Sequence, residues 1–147
     1  MADVVTILRV VEALPHGFDV MSAEAAAEGV RNMAALASEF GAADDPFRDL
    51  GALFAAFIDG ELAGVGGVTV QAGLAEPAMR MRRLYVRPAV RRAGVARALA
   101  GAMMQQGFQA APLLVLNAAA SAAAPPFWEA MGFERVDWAG ITHALRL

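Results

Sequence analysis

The feature that most constrains the fold of this 147-residue chain is a dipeptide, Asp59-Gly60, between two apolar segments. Residues 52–58 and 62–70 flank it, and both are rich in aliphatic side chains. Asp-Gly between such segments is the strongest short-range signal of a β-hairpin, because both residues accept the left-handed backbone of a tight turn. The sequence therefore predicts an antiparallel pair of strands here.

Further strands and helices can be placed on either side of this hairpin from hydrophobic periodicity and from Pro and Gly breaks. Ser22 is a candidate N-cap for an amphipathic helix that ends at Gly41. The resulting order is β-α-β-β-β-α-β-α-β-β, a mixed sheet in a single α/β domain spanning residues 1–147. The other strands are predicted at 4–11, 79–86, 113–116, 133–138 and 141–147, and the helices at 22–41, 94–107 and 125–131.

The composition narrows the class of protein. Hydrophobic residues make up 58% of the chain, but no apolar run reaches the roughly 18 residues of a membrane-spanning helix. There is no cysteine, so neither disulfides nor a thiolate metal site is expected, and His16 and His143 lie far apart in the sequence. Met1-Ala2-Asp3 lacks the basic start of a secretory signal. We expect a cytoplasmic protein with no metal and no membrane partner.

Basic residues are concentrated in one segment. All 12 are arginines, and those between positions 80 and 97 have no acid among them, although the whole chain has a net charge of -3. This pattern predicts a local anion site, with a solvated arginine-rich strand and turn as the alternative. A nucleic-acid partner is not expected, because such proteins are usually basic over the whole domain. The arginines of the segment are Arg80, Arg82, Arg83, Arg87, Arg91, Arg92 and Arg97.

The segment Arg91 to Arg97, read Arg-Arg-Ala-Gly-Val-Ala-Arg, lies between a predicted strand and a predicted helix. A helix N-terminus presents unpaired N–H groups and a partial positive charge, which suits a phosphate. Gly94 allows close approach of the backbone, and small Ala96 leaves room in the next turn. The segment lacks the Gly-Lys-Ser/Thr of a Walker loop and the three glycines of a dinucleotide fingerprint.

Two blocks carry a family resemblance. Arg91-x-x-Gly94-x-Ala96, preceded by Arg83-Leu84-Tyr85-Val86-x-Pro88, closely resembles the acetyl-coenzyme A signature of the GNAT superfamily of N-acetyltransferases. Ala124-x-x-Phe127-Trp128-Glu129-x-Met131-Gly132-Phe133 is similar to the late helix of that family. The resemblance implies a GNAT-like mixed, mostly antiparallel sheet flanked by helices. It also implies an acetyltransferase of the EC 2.3.1 class with acetyl-CoA as acyl donor.

The resemblance further implies direct attack of a primary amine on the thioester in a ternary complex. The backbone of residues 84–86 would pair with the pantetheine arm, and the amides of residues 92–97 would hold the pyrophosphate. Ser121 or Asn117 would touch the cofactor, and Trp128 would border the acyl group. The candidate cofactor-binding residues are Leu84, Tyr85, Val86, Arg91, Arg92, Ala93, Gly94, Val95, Ala96, Arg97, Asn117, Ser121 and Trp128.

The catalytic residues depart from the family pattern. Trp128 replaces the usual tyrosine acid, and Arg80 or Arg82 stands where many members carry a glutamate base. Glu76 and Tyr85 are weak substitutes, so the catalytic residues are unknown and a non-catalytic acyl-CoA sensor or regulatory protein is the alternative. A nucleic-acid-binding domain is a third and weaker hypothesis for the function.

The acceptor is expected to be a small-molecule amine or a peptide, bound near residues 18–50. Asp44, Asp45 and Asp49 would be able to attract a cationic amine. The apolar excess makes a homodimer plausible.

Overall fold

The computed structural model describes residues 4–147. Met1 to Asp3, on which the expected absence of a secretory signal depends, lie outside these residues. Within residues 4–147 the chain forms one seven-stranded sheet in the order β1-β2-β3-β4-β5-β7-β6. Its strands are β1 (Val5–Val10), β2 (Ala52–Ile58), β3 (Glu61–Gln71), β4 (Ala78–Val86), β5 (Leu113–Leu116), β6 (Glu134–Trp138) and β7 (Ile141–Arg146). The helices are α1 (Phe18–Ala27), α2 (Asn32–Glu39), α3 (Val95–Ala110) and α4 (Ala124–Ala130), with a 3₁₀ turn at Pro88–Val90.

The pairing of the strands confirms a mixed, mostly antiparallel sheet. β4 and β5 are parallel, and the other neighbouring pairs are antiparallel. The predicted hairpin is confirmed as β2 and β3, with Asp59 at φ 51° and Gly60 at φ 78° in the turn. These are the left-handed conformations that favour Asp-Gly.

The single helix predicted from Ser22 to Gly41 is wrong. The segment forms two helices, α1 and α2, and Ser22 lies inside α1 rather than at its N-cap. The break comes at Gly29, where φ is 77°. The periodicity from Val30 to Phe40 belongs to α2 alone, because one continuous helix cannot pass through a left-handed residue.

The helix predicted at 94–107 begins as expected but continues to Ala110. Gly107 does not end it. A Cβ added at this buried glycine would lie 2.6 Å from Leu114 Cδ2 in β5, so the glycine allows α3 to approach the sheet closely.

Apolar side chains cover both faces of the sheet. Leu99 and Met103 of α3 pack with Met79 and Met81 of β4 on one face. On the other, residues of α1 and α2 such as Met21 and Leu36 pack with Tyr85 of β4. The sheet is therefore the middle layer of a three-layer domain. No helix in residues 4–147 has the length and apolar character needed to cross a bilayer.

β4 and β5 separate part-way along their length, and this separation positions the candidate site. β5 pairs with β4 only at Ala78 to Arg80. Beyond Arg80, β4 continues to Val86 with no strand on that side among the described residues. Arg83, at φ 58°, forms a β-bulge against β3 just where this edge is free.

Candidate active site

The turn that leads from β4 into α3 presents a row of unpaired backbone donors. Gly94, at φ 82°, is the N-cap of α3, and Arg92 also has a left-handed φ of 68°. None of the N–H groups of residues 92–97 donates a hydrogen bond within residues 4–147. Successive free amides at a helix N-terminus form an anion-binding concavity. The predicted geometry of this segment is therefore present.

The free edge of β4 runs directly into this turn. Tyr85 and Val86 end the strand, and the 3₁₀ turn of residues 88–90 connects it to the amides that precede α3. An edge without a neighbouring strand can take up an extended ligand, which adds to the sheet as a strand does. Two carbonyls here already accept side-chain hydrogen bonds, that of Leu84 from Asn32 at 3.4 Å and that of Val86 from Arg91 at 3.1 Å. The two features together form one continuous polar track.

Three arginines of the basic segment form ion pairs with acids, and sequence reasoning did not predict these pairs. Arg83 makes a bidentate pair with Glu39 of α2 at 2.8 and 2.9 Å. Arg87 and Arg91 pair with carboxylates of α1 and of its C-cap. These pairs are Arg87 with Glu24 at 2.7 and 3.0 Å and Arg91 with Glu28 at 2.6 and 2.8 Å.

Sequence reasoning missed these pairs, although a signal was present. Glu24 and Glu28 are four residues apart, and so are Arg87 and Arg91. Arg92 and Arg97, by contrast, are exposed and make no ion pair within residues 4–147. The free positive charge of the segment therefore lies beside the unpaired amides.

Tyr85 connects the end of β4 to α1. Its ring is 5% exposed, and its hydroxyl donates a 2.5 Å hydrogen bond to Glu28. Burial, assisted by that carboxylate, raises the pKa of Tyr85 to about 12. Hydrogen bonds from Arg91 and then from Tyr85 lower the pKa of Glu28 to about 2. Tyr85 is thus a protonated donor at neutral pH, and Glu28 is a weak base.

The arginines at the family's usual glutamate positions have different surroundings. Arg80 donates to the side chain of Gln71 at 3.2 Å and to the carbonyl of Gly140. Arg82 is half-buried, and its pKa is lowered mainly by desolvation and then by the charge of Arg83. Neither can accept a proton from an amine.

Glu76, the other predicted base candidate, is not brought to this site. It lies before the start of β4 and pairs with Arg146 of β7. The seven residues to Arg83 span roughly 23 Å in extended chain. The structure therefore separates Glu76 from the bulge and from the turn before α3.

The remaining predicted cofactor contacts have local structural partners. Asn117 donates to the Gly140 carbonyl and accepts from the Ala119 amide, and Ser121 accepts from the Ala124 amide at the start of α4. Trp128 is 7% exposed and packs edge-on against Phe127 and Phe133. The cofactor roles expected for these residues stay predictions.

His143 is buried between α4 and β7. Its Nε2 bonds Glu129 of α4 at 2.8 Å, and its Nδ1 bonds the Thr142 hydroxyl at 2.8 Å. This dyad fastens α4 to β7, and His143 lowers the pKa of Glu129. Within residues 4–147 no three His, Cys, Asp or Glu side chains cluster in a way that would hold a metal ion.

A cleft of about 380 Å³ opens beside the bulge, on the α1–α2 side of the sheet. Asn32 donates a long bond of 3.4 Å to the Leu84 carbonyl, while its buried Oδ1 has no partner within the described residues. An unpaired buried acceptor costs on the order of 1–3 kcal/mol. The lining is formed by residues 29–32, Ala35, Arg83 and Ala120.

The sequence predicted only that an acceptor would bind near residues 18–50, without naming a cleft. None of the three aspartates expected to attract an amine lines the cleft. Asp45 instead accepts 2.8 Å bonds from the amides of Gly41 and Phe47, so it organises its own loop. Its role toward an acceptor stays a prediction.

Comparison with known proteins identifies the family. A profile of the acetyltransferase (GNAT) domain matches residues 21–146. This match covers most of the chain, and the chain therefore belongs to the GNAT acetyltransferase family. No protein of curated function matches it.

Several solved structures share the fold. A presumed acetyltransferase from Exiguobacterium sp. 255-15 is 29% identical, with a TM-score of 0.86 over 97% of this chain and 93% of the other. A GNAT family acetyltransferase from Elizabethkingia anophelis with acetyl-CoA bound is 14% identical, with a TM-score of 0.65 over 97% and 98%. A NatC complex bound to Gag peptide and coenzyme A is 14% identical, with a TM-score of 0.73 over 100% and 99%.

Proposed function

We propose that this protein transfers an acetyl group from acetyl-CoA to a primary amine within a ternary complex. The observation that carries the proposal is the row of unpaired amides at residues 92–97, continuous with the free edge of β4. Family membership and a distant relative whose structure holds acetyl-CoA support the choice of donor.

In this proposal, the pyrophosphate of the donor lies on the amides of Arg92 to Arg97. The guanidinium groups of Arg92 and Arg97 add charge-assisted hydrogen bonds. The pantetheine arm follows the backbone of Leu84 to Val86, as an added strand would. This course brings the thioester toward the bulge and the cleft beside it. Arg91 contributes indirectly, because its side chain is held by Glu28.

The amine nitrogen attacks the thioester carbonyl, the new N–C bond forms, and the C–S bond breaks as its electron pair passes to the coenzyme A sulfur. The amine proton goes to water. The two carboxylates near the cleft are both ion-paired, Glu28 with Arg91 and Glu39 with Arg83, and the lowered pKa of Glu28 makes it a poor base. We expect kcat/KM to rise with pH as the acceptor amine deprotonates. Catalysis then rests mainly on positioning.

A non-catalytic acyl-CoA sensor is the second candidate. It is favoured by the lining of the cleft, which includes no acid that could act as a general base. Loss of general acid and base catalysis commonly lowers the rate by about 10² to 10⁴, so a slow enzyme and a sensor differ in turnover and not in donor binding.

The cytoplasmic location and the homodimer stay predictions.

The first experiment is thermal unfolding with excess acetyl-CoA and with ATP as a control for phosphate binding. At about 100 times Kd a ligand adds roughly 2.7 kcal/mol, which raises Tm by about 5 °C in a domain of this size. A shift with acetyl-CoA and none with ATP supports the donor site. No shift with acetyl-CoA at millimolar concentration contradicts it. Release of free thiol from acetyl-CoA with an amine panel then separates the enzyme from the sensor.

A further inference from the structure

The cleft beside the bulge has the size and position of a site for a small acceptor. Its volume of about 380 Å³ is at the lower end of small-molecule sites, which begin at about 300 Å³. Asn32 connects it to β4 through the carbonyl of Leu84, one of the residues proposed to pair with the pantetheine arm. A molecule in the cleft therefore lies next to the proposed course of the donor.

The charge of the cleft is positive. Arg31 and Arg83 are among its lining residues, and no acid is. Arg83 is neutralised by Glu39, but Arg31 is exposed and makes no ion pair within residues 4–147. Arg82, half-buried and close enough to Arg83 to feel its charge, adds a second positive group without a bonded acid.

The N-terminus of α2 adds to the same potential. Arg31 is its N-cap and has no side-chain capping bond, and Asn32, its first residue, lines the cleft, so the positive end of the helix adjoins the cleft. A purely cationic amine would meet repulsion here, whereas an amine that carries its own anion would be attracted.

Resting on the proposed function, we infer that the acceptor is a small amine that also carries a carboxylate, an amino acid or a close derivative. Arg31 binds the carboxylate, and a rotation of the weakly held Asn32 amide turns its Oδ1 toward the amine N–H. Arg31 and Asn32 thereby select the acceptor and do not take part in donor binding.

The test compares amines that differ in the carboxylate. Amino acids and their decarboxylated amines are added to the protein saturated with coenzyme A, which cannot react, and Tm is measured. We expect amino acids to raise Tm and the amines to have little effect. The same panel is then assayed for thiol release with acetyl-CoA.

Variants assign the effect to residues. Arg31→Gln is expected to raise KM for the amino acid about 10-fold or more with little change in kcat, since a bound-state charge pair is lost. Arg31→Lys should restore part of the affinity. Asn32→Ala is expected to lower kcat/KM about 10-fold. Arg135→Gln is the charge-matched control, because Arg135 is an exposed arginine on β6. This variant should change neither KM nor kcat/KM for the amino acid.

Three results would overturn the inference, and they distinguish failure of the acceptor class from failure of the proposed function. If acetyl-CoA raises Tm but decarboxylated amines or carboxyl-blocked peptides bind and react as well as amino acids, only the acceptor class is wrong. The same conclusion follows if no amino acid raises Tm at millimolar concentration. If acetyl-CoA itself gives no shift, the proposed function fails and the acceptor inference fails with it.

Discussion

The turn before α3 and the turn before α2 both lead into a helix, yet they present different groups. Before α3, the free groups are backbone amides, and the Arg91 side chain is folded back onto Glu28. Before α2, the free groups belong to side chains. They are the Arg31 guanidinium and the side-chain amide oxygen (Oδ1) of Asn32. The turn before α3 therefore offers mainly main-chain donors, with the exposed Arg92 and Arg97 beside them, and the turn before α2 offers mainly side-chain groups.

This difference predicts opposite responses to substitution. Backbone donors persist when a side chain is replaced but are blocked by an added Cβ where a ligand must come close. Side-chain donors are lost with a single replacement. The turn before α3 should therefore be sensitive at its glycine, and the turn before α2 at its polar residues.

The largest expected effect is that of Gly94→Ala. Several charge-assisted bonds to the pyrophosphate would be displaced, so the affinity for acetyl-CoA should fall about 100-fold or more. Gly60→Ala is the matched control, because Gly60 has φ 78° against 82° for Gly94 and neither has an atom within 4 Å of an added Cβ. Calorimetry should show similar loss of Tm in both variants and loss of acetyl-CoA binding in Gly94→Ala alone. Equal binding by the two variants would contradict the backbone cradle.

An intermediate effect is expected for the double change Arg92→Gln with Arg97→Gln. These exposed guanidinium groups have no carboxylate partner within residues 4–147, so they supply charge without shaping the turn. Affinity for acetyl-CoA should fall about 10-fold at low salt and much less at high salt, because exposed charges are screened. A loss that is independent of salt would mean that the turn itself had been disturbed.

The smallest expected effect concerns the pKa of Tyr85, a residue at the end of β4 whose hydroxyl bonds Glu28 at the C-cap of α1. Because Tyr85 is the only tyrosine, absorbance of tyrosinate reports its pKa directly, and we expect about 12 in place of 10. A raised pKa stabilises the protonated form, so this contribution to folding is full below about pH 10 and is lost as pH rises toward 12. Glu28→Gln should lower the measured pKa toward its ordinary value. An unchanged value in this variant would exclude the Glu28 contact.

Glu28 makes the stability of the fold depend on pH in the acid range. Its pKa is lowered from 4.5 to about 2, so its contribution is present above pH 4.5 and is lost as pH falls toward 2. Denaturation of wild-type and Glu28→Gln protein across this interval should converge at low pH. A constant difference between them would contradict the lowered pKa.

Much of the sheet was predictable because its signals are local. Asp59-Gly60 and the Pro and Gly breaks depend on residues adjacent in sequence, as does the turn at Gly94. The break at Gly29 was missed, because the helical spacing begins only at Val30 and the candidate N-cap at Ser22 placed the start of the helix too early. Gly107 was misread as a helix end, because the reason for a glycine there is the close approach of α3 to Leu114 of β5, which only the packing shows.

The candidate site was predictable only in its main-chain part. The pairs of Glu24, Glu28 and Glu39 with arginines join residues 44 to 63 positions apart, and the four-residue spacing within each segment does not identify the partner of each acid. The partnerless Oδ1 of Asn32 is likewise a property of packing and not of sequence. Acceptor recognition therefore required the three-dimensional arrangement.

The most direct test of the central claim is amide hydrogen exchange at residues 92–97, measured by NMR with and without acetyl-CoA. The amides are unpaired in the free protein, so they should exchange fast and become protected when the pyrophosphate binds, while the first amides of α2 stay unchanged until an acceptor is added. Protection confined to residues 92–97 and the edge of β4 is the predicted result. Binding of acetyl-CoA without protection at residues 92–97 would contradict the account.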